Sequence, residues 1–329
     1  MYKSFYQLRQ NPFEITPDPS FLFSTARHNE ALASLYYGVR ARKGFVVLTG
    51  EVGTGKTMLV RCVLDLLQRT GVAFAYVFNP SLSPLEFIRY IAGDLGLPVA
   101  GKAKDEIISA LSAFLVERHN LNLTTLLVVD EAHYLSPELL EEVRLLTNLE
   151  TTQRKLLQIV LAGQPELDEM LDSFELRQLK QRIALRCHLE PLDLGETRGY
   201  IQRRLQIAGR VPEKIIFSEP AVSAIFRHSK GFPRMVNTIC ENALLSGYAR
   251  RAAVIPDEVI EEVARDLRLG VVSQKDNKKN RSAGGEQEVK KLELVRAVKT
   301  LLELHDYLQE MKSTETKETT SVPYRISER

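Results

Sequence analysis

At 329 residues the chain has room for about two domains and a remainder. Apolar residues make up 44% and charged residues 26%, a composition that supports a sizeable core and excludes wholesale disorder. A net charge of +2 excludes a strongly basic coat for nucleic acid, although a local basic patch stays open.

The three cysteines, Cys62, Cys187 and Cys240, are far apart and odd in number. They form neither a disulfide framework nor a zinc spacing and read as reduced core thiols. No apolar run reaches the ~18–20 residues that cross a bilayer, and the opening MYKSFYQLRQNPFE lacks the apolar region of a signal peptide. The expected location is cytoplasmic, with any link to the inner membrane made through a partner or a surface helix.

In chain order, residues 1–43 begin with aromatics and the proline-rich stretch NPFEITPDPS, which has no helical period and reads as irregular chain packed on the core. A helical pattern follows over 29–42. From Gly44 strands and helices alternate. Short apolar runs at 45–49, 73–77, 126–129, 157–161 and 183–189 predict five strands, and helical patterns fall at 58–67, 84–95, 105–118 and 136–149. Continuous rather than alternating apolar strands imply burial on both faces, and helices between them imply parallel crossovers. The predicted fold over 44–191 is therefore an α/β sandwich around a parallel five-stranded sheet.

After Pro191 the strand signals stop. Helical patterns at 195–208, 218–229, 233–250 and 256–267, with Pro212, Pro220, Pro233 and Pro256 near their starts, predict an all-helical second domain over 192–268. Residues 269–288 read as a polar linker, 289–312 as an amphipathic helix and 313–329 as a disordered tail. The helix carries Leu294, Val298, Leu301 and Leu308 on one face. Alone it cannot bury that stripe, so it docks on the body or on another chain.

Gly50-Glu51-Val52-Gly53-Thr54-Gly55-Lys56-Thr57 fits G-x-x-x-x-G-K-[ST] in full, between a predicted strand and a predicted helix that Met58 opens. This is the context of a P-loop: glycines turn backbone N–H groups inward, and the helix N-terminus adds positive potential around phosphate oxygens. Lys56 is a point cation for the β- and γ-phosphates, and the Thr57 hydroxyl suits Mg²⁺.

Downstream, Leu126-Leu127-Val128-Val129 ends in Asp130-Glu131. An acid at that strand end faces the ligand crevice of an open α/β sheet. Asp130 fits a Mg²⁺ ligand. Glu131 fits a general base for water, worth about 10²–10⁴ in rate.

Gln164, just after the fourth strand, is placed to orient the attacking water; a plain helix-start residue before Pro165 is the competing reading. Among Arg177, Arg182 and Arg186, Arg182 is the favoured cation for a neighbouring subunit's site, against a surface arginine. Arg234, in Gly231-Phe232-Pro233-Arg234, could reach a phosphate from the helical domain. The six histidines show no metal spacing, and His133 reads as structural rather than catalytic.

Together these motifs resemble an AAA+ ATPase. The stretch from Met1 to Thr57, GQPEL (163–167), LKQRIALRCHLEPL (179–192) and GFPRMVNTICENALL (231–245) are similar to ATPases of the general secretion pathway protein A type and to short ATPases of exosortase and exopolysaccharide loci. The resemblance covers about residues 1–268. It implies ATP and Mg²⁺ as ligands, Lys56 and Thr57 as Walker A, Asp130 and Glu131 as Walker B, Gln164 as sensor 1 and Arg234 as sensor 2. It also implies that Pro12-Phe13 and Arg27-His28 border the adenine and that the chain forms a ring or filament with copies of itself, Arg182 reaching the next site. The implied function is ATP hydrolysis coupled to a cell-envelope export, secretion or polysaccharide machine. The alternatives are a transposition-regulator type ATPase acting on DNA and an ATP-dependent interaction switch.

Overall fold

Five apolar runs pair in parallel as β1 (Phe45–Gly50), β2 (Ala73–Val77), β3 (Thr125–Val129), β4 (Leu157–Gly163) and β5 (Ile183–Leu189), in the order β2-β3-β4-β1-β5. The three central strands are buried along their whole length, whereas the edge strands β2 and β5 are only partly buried. Helices cover both faces of the centre, which is why its strands read as unbroken apolar runs. The structure, a computed structural model, describes residues 1–269 apart from 17, 79, 153, 212 and 213.

One sheet face packs on α4 (Pro84–Asp94), α5 (Lys104–Asn120) and α6 (Pro137–Leu146) through Phe87, Ile88, Leu111, Leu139 and Val143. The other carries α2 (Ala26–Arg40) and α3 (Lys56–Gln68). Local chemistry fixes the helix starts. Ser83 and Glu86 form a capping box before Pro84, and the Ser136 hydroxyl accepts the Leu139 N–H before Pro137. Two short helices, α7 (Glu166–Leu171) and α8 (Arg177–Lys180), follow β4. Neither is long enough to show a period in sequence.

A second apolar cluster unites α9 (Leu194–Ile207), α10 (Glu219–Ser229), α11 (Pro233–Ala249) and α12 (Asp257–Asp266) around Leu205, Ile225, Ile239, Leu244 and Ile260. Both clusters lie in one compact unit. Ahead of the proline-rich stretch the chain start carries a short helix that the sequence did not signal. Residues Tyr2–Tyr6 form α1, whose Tyr2 and Tyr6 point one way at i,i+4 spacing and join the helical cluster with Leu8 and Phe13 rather than the sheet. The Tyr2 hydroxyl donates to Glu241 at 2.8 Å and the Tyr6 hydroxyl to the Ala252 carbonyl at 3.1 Å.

Cys62, Cys187 and Cys240 are buried free thiols. Among the described residues no helix is long and apolar enough to cross a membrane. The linker, amphipathic helix and tail expected beyond residue 269 lie outside the described residues.

Candidate functional site

β1 ends at Gly50 and α3 begins at Lys56, so the P-loop is a tight turn between a buried strand and a helix N-terminus. Gly53 and Gly55 have φ of +83° and +102°, a region that side chains disfavour. Gly53 carries a second requirement. A Cβ there would lie 2.9 Å from Cβ of Arg234, whose own N–H donates to the Gly53 carbonyl at 3.3 Å. The missing side chain lets the start of α11 rest on the loop.

Lys56 is buried and donates to the carbonyls of Gly50 (2.7 Å) and Glu51 (3.0 Å). Burial pushes its ammonium pKa down, opposed by the carboxylates of Glu131, Asp130, Glu51 and Glu166. The Thr54 hydroxyl closes the turn by donating to the Glu51 carbonyl at 2.8 Å.

Asp130, at the end of β3, is buried and gathers donors from three elements. Thr57 Oγ1 donates to its Oδ2 at 2.8 Å, the Tyr76 hydroxyl to the same oxygen at 2.7 Å, and the Glu131 N–H to Oδ1 at 2.9 Å. Burial first, and Asp130 second, push the Tyr76 phenol pKa up, so it stays a donor.

Glu131 sits at φ +50°, a left-handed conformation that costs a non-glycine residue about 1–3 kcal/mol. That backbone turns Oε2 into a buried position with no hydrogen-bond partner among the described residues, 3.6 Å from His133 Nδ1. His133 joins the two ends of the catalytic set. Its Nδ1 accepts the Gln164 N–H at 3.3 Å, and its Nε2 lies 2.8 Å from the Gln164 side-chain amide. The short contact between His133 Nε2 and that amide nitrogen fixes the amide's orientation. The sequence reads His133 as structural, and the structure sets it between Glu131 and Gln164.

These groups border a cleft of about 420 Å³ between the sheet and the helical cluster. Val52, Gly53, Thr54, Gly55, Lys56, Thr57, Met58, Glu131 and Arg234, all anticipated from sequence, line it. Gly50, Glu51 and Asp130 stand behind the lining and act on it through Lys56 and Thr57. Gln164 stands behind Glu131 and reaches it through His133. Arg182 does not line this cleft; it donates to Thr147 Oγ1 and to the Arg144 carbonyl at the end of α6.

The far wall was less visible in the sequence. Phe21, Phe23 and His28 from the N-terminal segment face Tyr200 and Arg204 of α9 and Asn237 of α11. The Tyr200 hydroxyl donates to Asn237 Oδ1 (2.9 Å) and accepts from Arg204 Nη1 (2.7 Å). Arg204, 3% exposed, lies over the Phe21 ring with 4.8 Å between the guanidinium carbon and the ring centroid.

His28 lies 2.8 Å from Thr25 Oγ1, and burial pushes its pKa down. Pro12 and Phe13, expected beside a base, are instead buried, and Phe13 packs edge-on against Phe217 of the helical cluster. Arg27 pairs with Glu190 on the surface.

Residues 39–171 match the AAA domain model. A curated relative, general secretion pathway protein A of Aeromonas hydrophila, is 45% identical over 254 residues, which is 76% of this chain. The aligned part spans 45% of that relative's length. Two solved structures share the fold. The Aeropyrum pernix ORC2 protein has a TM-score of 0.59 at 16% identity, covering 78% of this chain and 71% of its own. A Drosophila ORC structure bound to DNA has a TM-score of 0.61 at 19% identity, covering 81% of this chain and 66% of its own. With its parallel five-stranded sheet and P-loop, the chain carries an AAA domain over residues 39–171 and is a homologue of general secretion pathway protein A.

Proposed function

We propose that the chain hydrolyses ATP with Mg²⁺ and couples turnover to a cell-envelope export, secretion or polysaccharide machine. One observation carries the chemical part of this reading. Lys56, the Thr57–Asp130 pair and the unpartnered Glu131 oxygen converge on a single cleft, and Arg234 faces it from the helical side. The envelope role rests on the similarity to general secretion pathway protein A.

The donor set suits the groups it would hold. A hydroxyl and a buried carboxylate in contact are hard oxygen ligands for Mg²⁺, which would neutralise charge developing on the phosphates. Lys56 leaves its loop carbonyls to bind the β- and γ-phosphates. Glu131 takes a proton from water as the water oxygen attacks the γ-phosphorus and the bond to the ADP oxygen breaks. Gln164, held by His133, orients that water. Arg234 binds the γ-phosphate from α11, so its loss on hydrolysis is felt by the helical cluster. Copies of the chain assemble so that Arg182 stabilises transition-state charge in a neighbour's cleft.

Phosphate release from ATP tests the reading. We expect turnover that disappears when EDTA removes Mg²⁺ and falls by about 10²–10³ in Lys56→Ala, the scale of losing one preorganised donor. Full activity in EDTA or in Lys56→Ala would overturn it.

A further inference from the structure

The other end of the same strands carries a second concavity, of about 760 Å³. It lies between the turn joining α2 to β1 and the chain joining α6 to β4. Five cations line it, Arg40, Arg42, Lys43, Arg154 and Lys155, against the single carboxylate of Glu150. Glu150 already pairs with Lys155, whose ammonium also donates to the Thr147 carbonyl at 3.0 Å. Arg42 is tied down as well, to His119 Nδ1 (2.8 Å), Asn122 Oδ1 (3.3 Å) and the Leu123 carbonyl (3.1 Å). Arg40, Lys43 and Arg154 remain without a carboxylate partner among the described residues.

The cleft is held firmly in this shape. Arg42 sits at φ +53° and Gly44 at φ +91°, two left-handed residues around Lys43. A Cβ on Gly44 would lie 3.0 Å from Lys155 Cγ, so the two walls touch. The Gly44 N–H donates at 2.8 Å to Gln158 Oε1, and Gln158 is itself 1% exposed. Like charges are thus crowded onto a strained, anchored turn, an arrangement that opposes folding and points to a ligand. The crowding also lowers the Arg42 pKa, after burial as the first cause.

We propose that this cleft binds a compact, multiply phosphorylated anion. Arginine forks and lysine point charges are the donors suited to phosphate oxygens. The volume is that of a small-molecule site. A nucleic-acid duplex is followed instead by cations strung along a face, and a single strand by stacking aromatics, which this lining lacks. The cleft is distinct from the nucleotide site. β1 separates them by about 20 Å, its six residues rising ~3.3 Å each.

Calorimetric titration of the full chain with tripolyphosphate tests the proposal. Wild type takes up two equivalents, one at this cleft and one at the P-loop, the latter resting on the function proposed above. The variant Arg40→Ala/Lys43→Ala/Arg154→Ala binds one, with affinity at the cleft lowered by about tenfold per cation removed. Lys56→Ala also binds one, having lost the other site. The charge-preserving Arg40→Lys/Arg154→Lys variant keeps two.

Two equivalents in the triple variant, or one in wild type that Lys56→Ala abolishes, would overturn the proposal. So would capture of a short DNA duplex through the same three cations without uptake of tripolyphosphate. If Lys56→Ala alone keeps both equivalents, the nucleotide reading fails while the cleft stands.

Discussion

The two walls of the nucleotide cleft are made differently. The phosphate wall comes from residues 52–58 and Glu131, just past the ends of two buried central strands. The opposite wall is assembled from residues 14–16 and 21–23, Tyr200 and Arg204, and Arg234 and Asn237, brought together by packing of the helical cluster. In the first, chemistry and backbone geometry are dictated within a few residues. In the second, Arg204, Tyr200 and Asn237 acquire meaning only from one another. Variants of the phosphate wall should therefore strike turnover, and variants of the opposite wall should strike nucleotide affinity.

The largest effect is expected where the walls meet. Gly53→Val forces a side chain into the left-handed region and against Cβ of Arg234. We expect nucleotide binding to be lost and stability to fall by about 1–3 kcal/mol. Melting curves and fluorescent-nucleotide titration read the two separately. Retention of wild-type affinity would break the link between the P-loop and α11.

An intermediate effect is expected at His133. His133→Ala frees the Gln164 amide and leaves Glu131 without its neighbour, so kcat should drop by about tenfold to a hundredfold while KM for ATP stays put. A purely structural histidine would lower the melting temperature and leave kcat of the folded fraction intact.

Arg204→Met is the mildest. Arg204 is a buried cation with no carboxylate partner among the described residues, and replacing such a group by an apolar one of similar length is often neutral or stabilising. Affinity for ATP should fall a few-fold, with kcat and melting temperature unchanged. A fall in kcat instead would erase the division between the walls.

The same contrast explains how much was legible in the sequence. The central strands could be read because both of their faces are buried, so residues 45–48, 126–129 and 159–162 are apolar throughout. The P-loop could be read because its glycines and lysine must sit at fixed spacing. Helix starts in the second domain followed from prolines at the first turn, as at Pro220 and Pro233.

Other parts carried no local signal. Helix α1 is five residues long, below any periodic window, and its two tyrosines find partners more than two hundred residues away. Tyr76 looked like one more apolar strand residue until its hydroxyl met Asp130 across β2 and β3. His133 read as structural because a lone histidine has no spacing to match; the fold sets it between Glu131 and Gln164.

The central claim is that Glu131 acts on water while the remaining groups hold ATP. The most direct test measures phosphate release and ATP affinity in wild type and Glu131→Gln. The account predicts that ATP binding stays near the wild-type value while turnover drops by about 10²–10⁴. Turnover unchanged in Glu131→Gln, or lost together with ATP binding in a protein that melts like wild type, would contradict it.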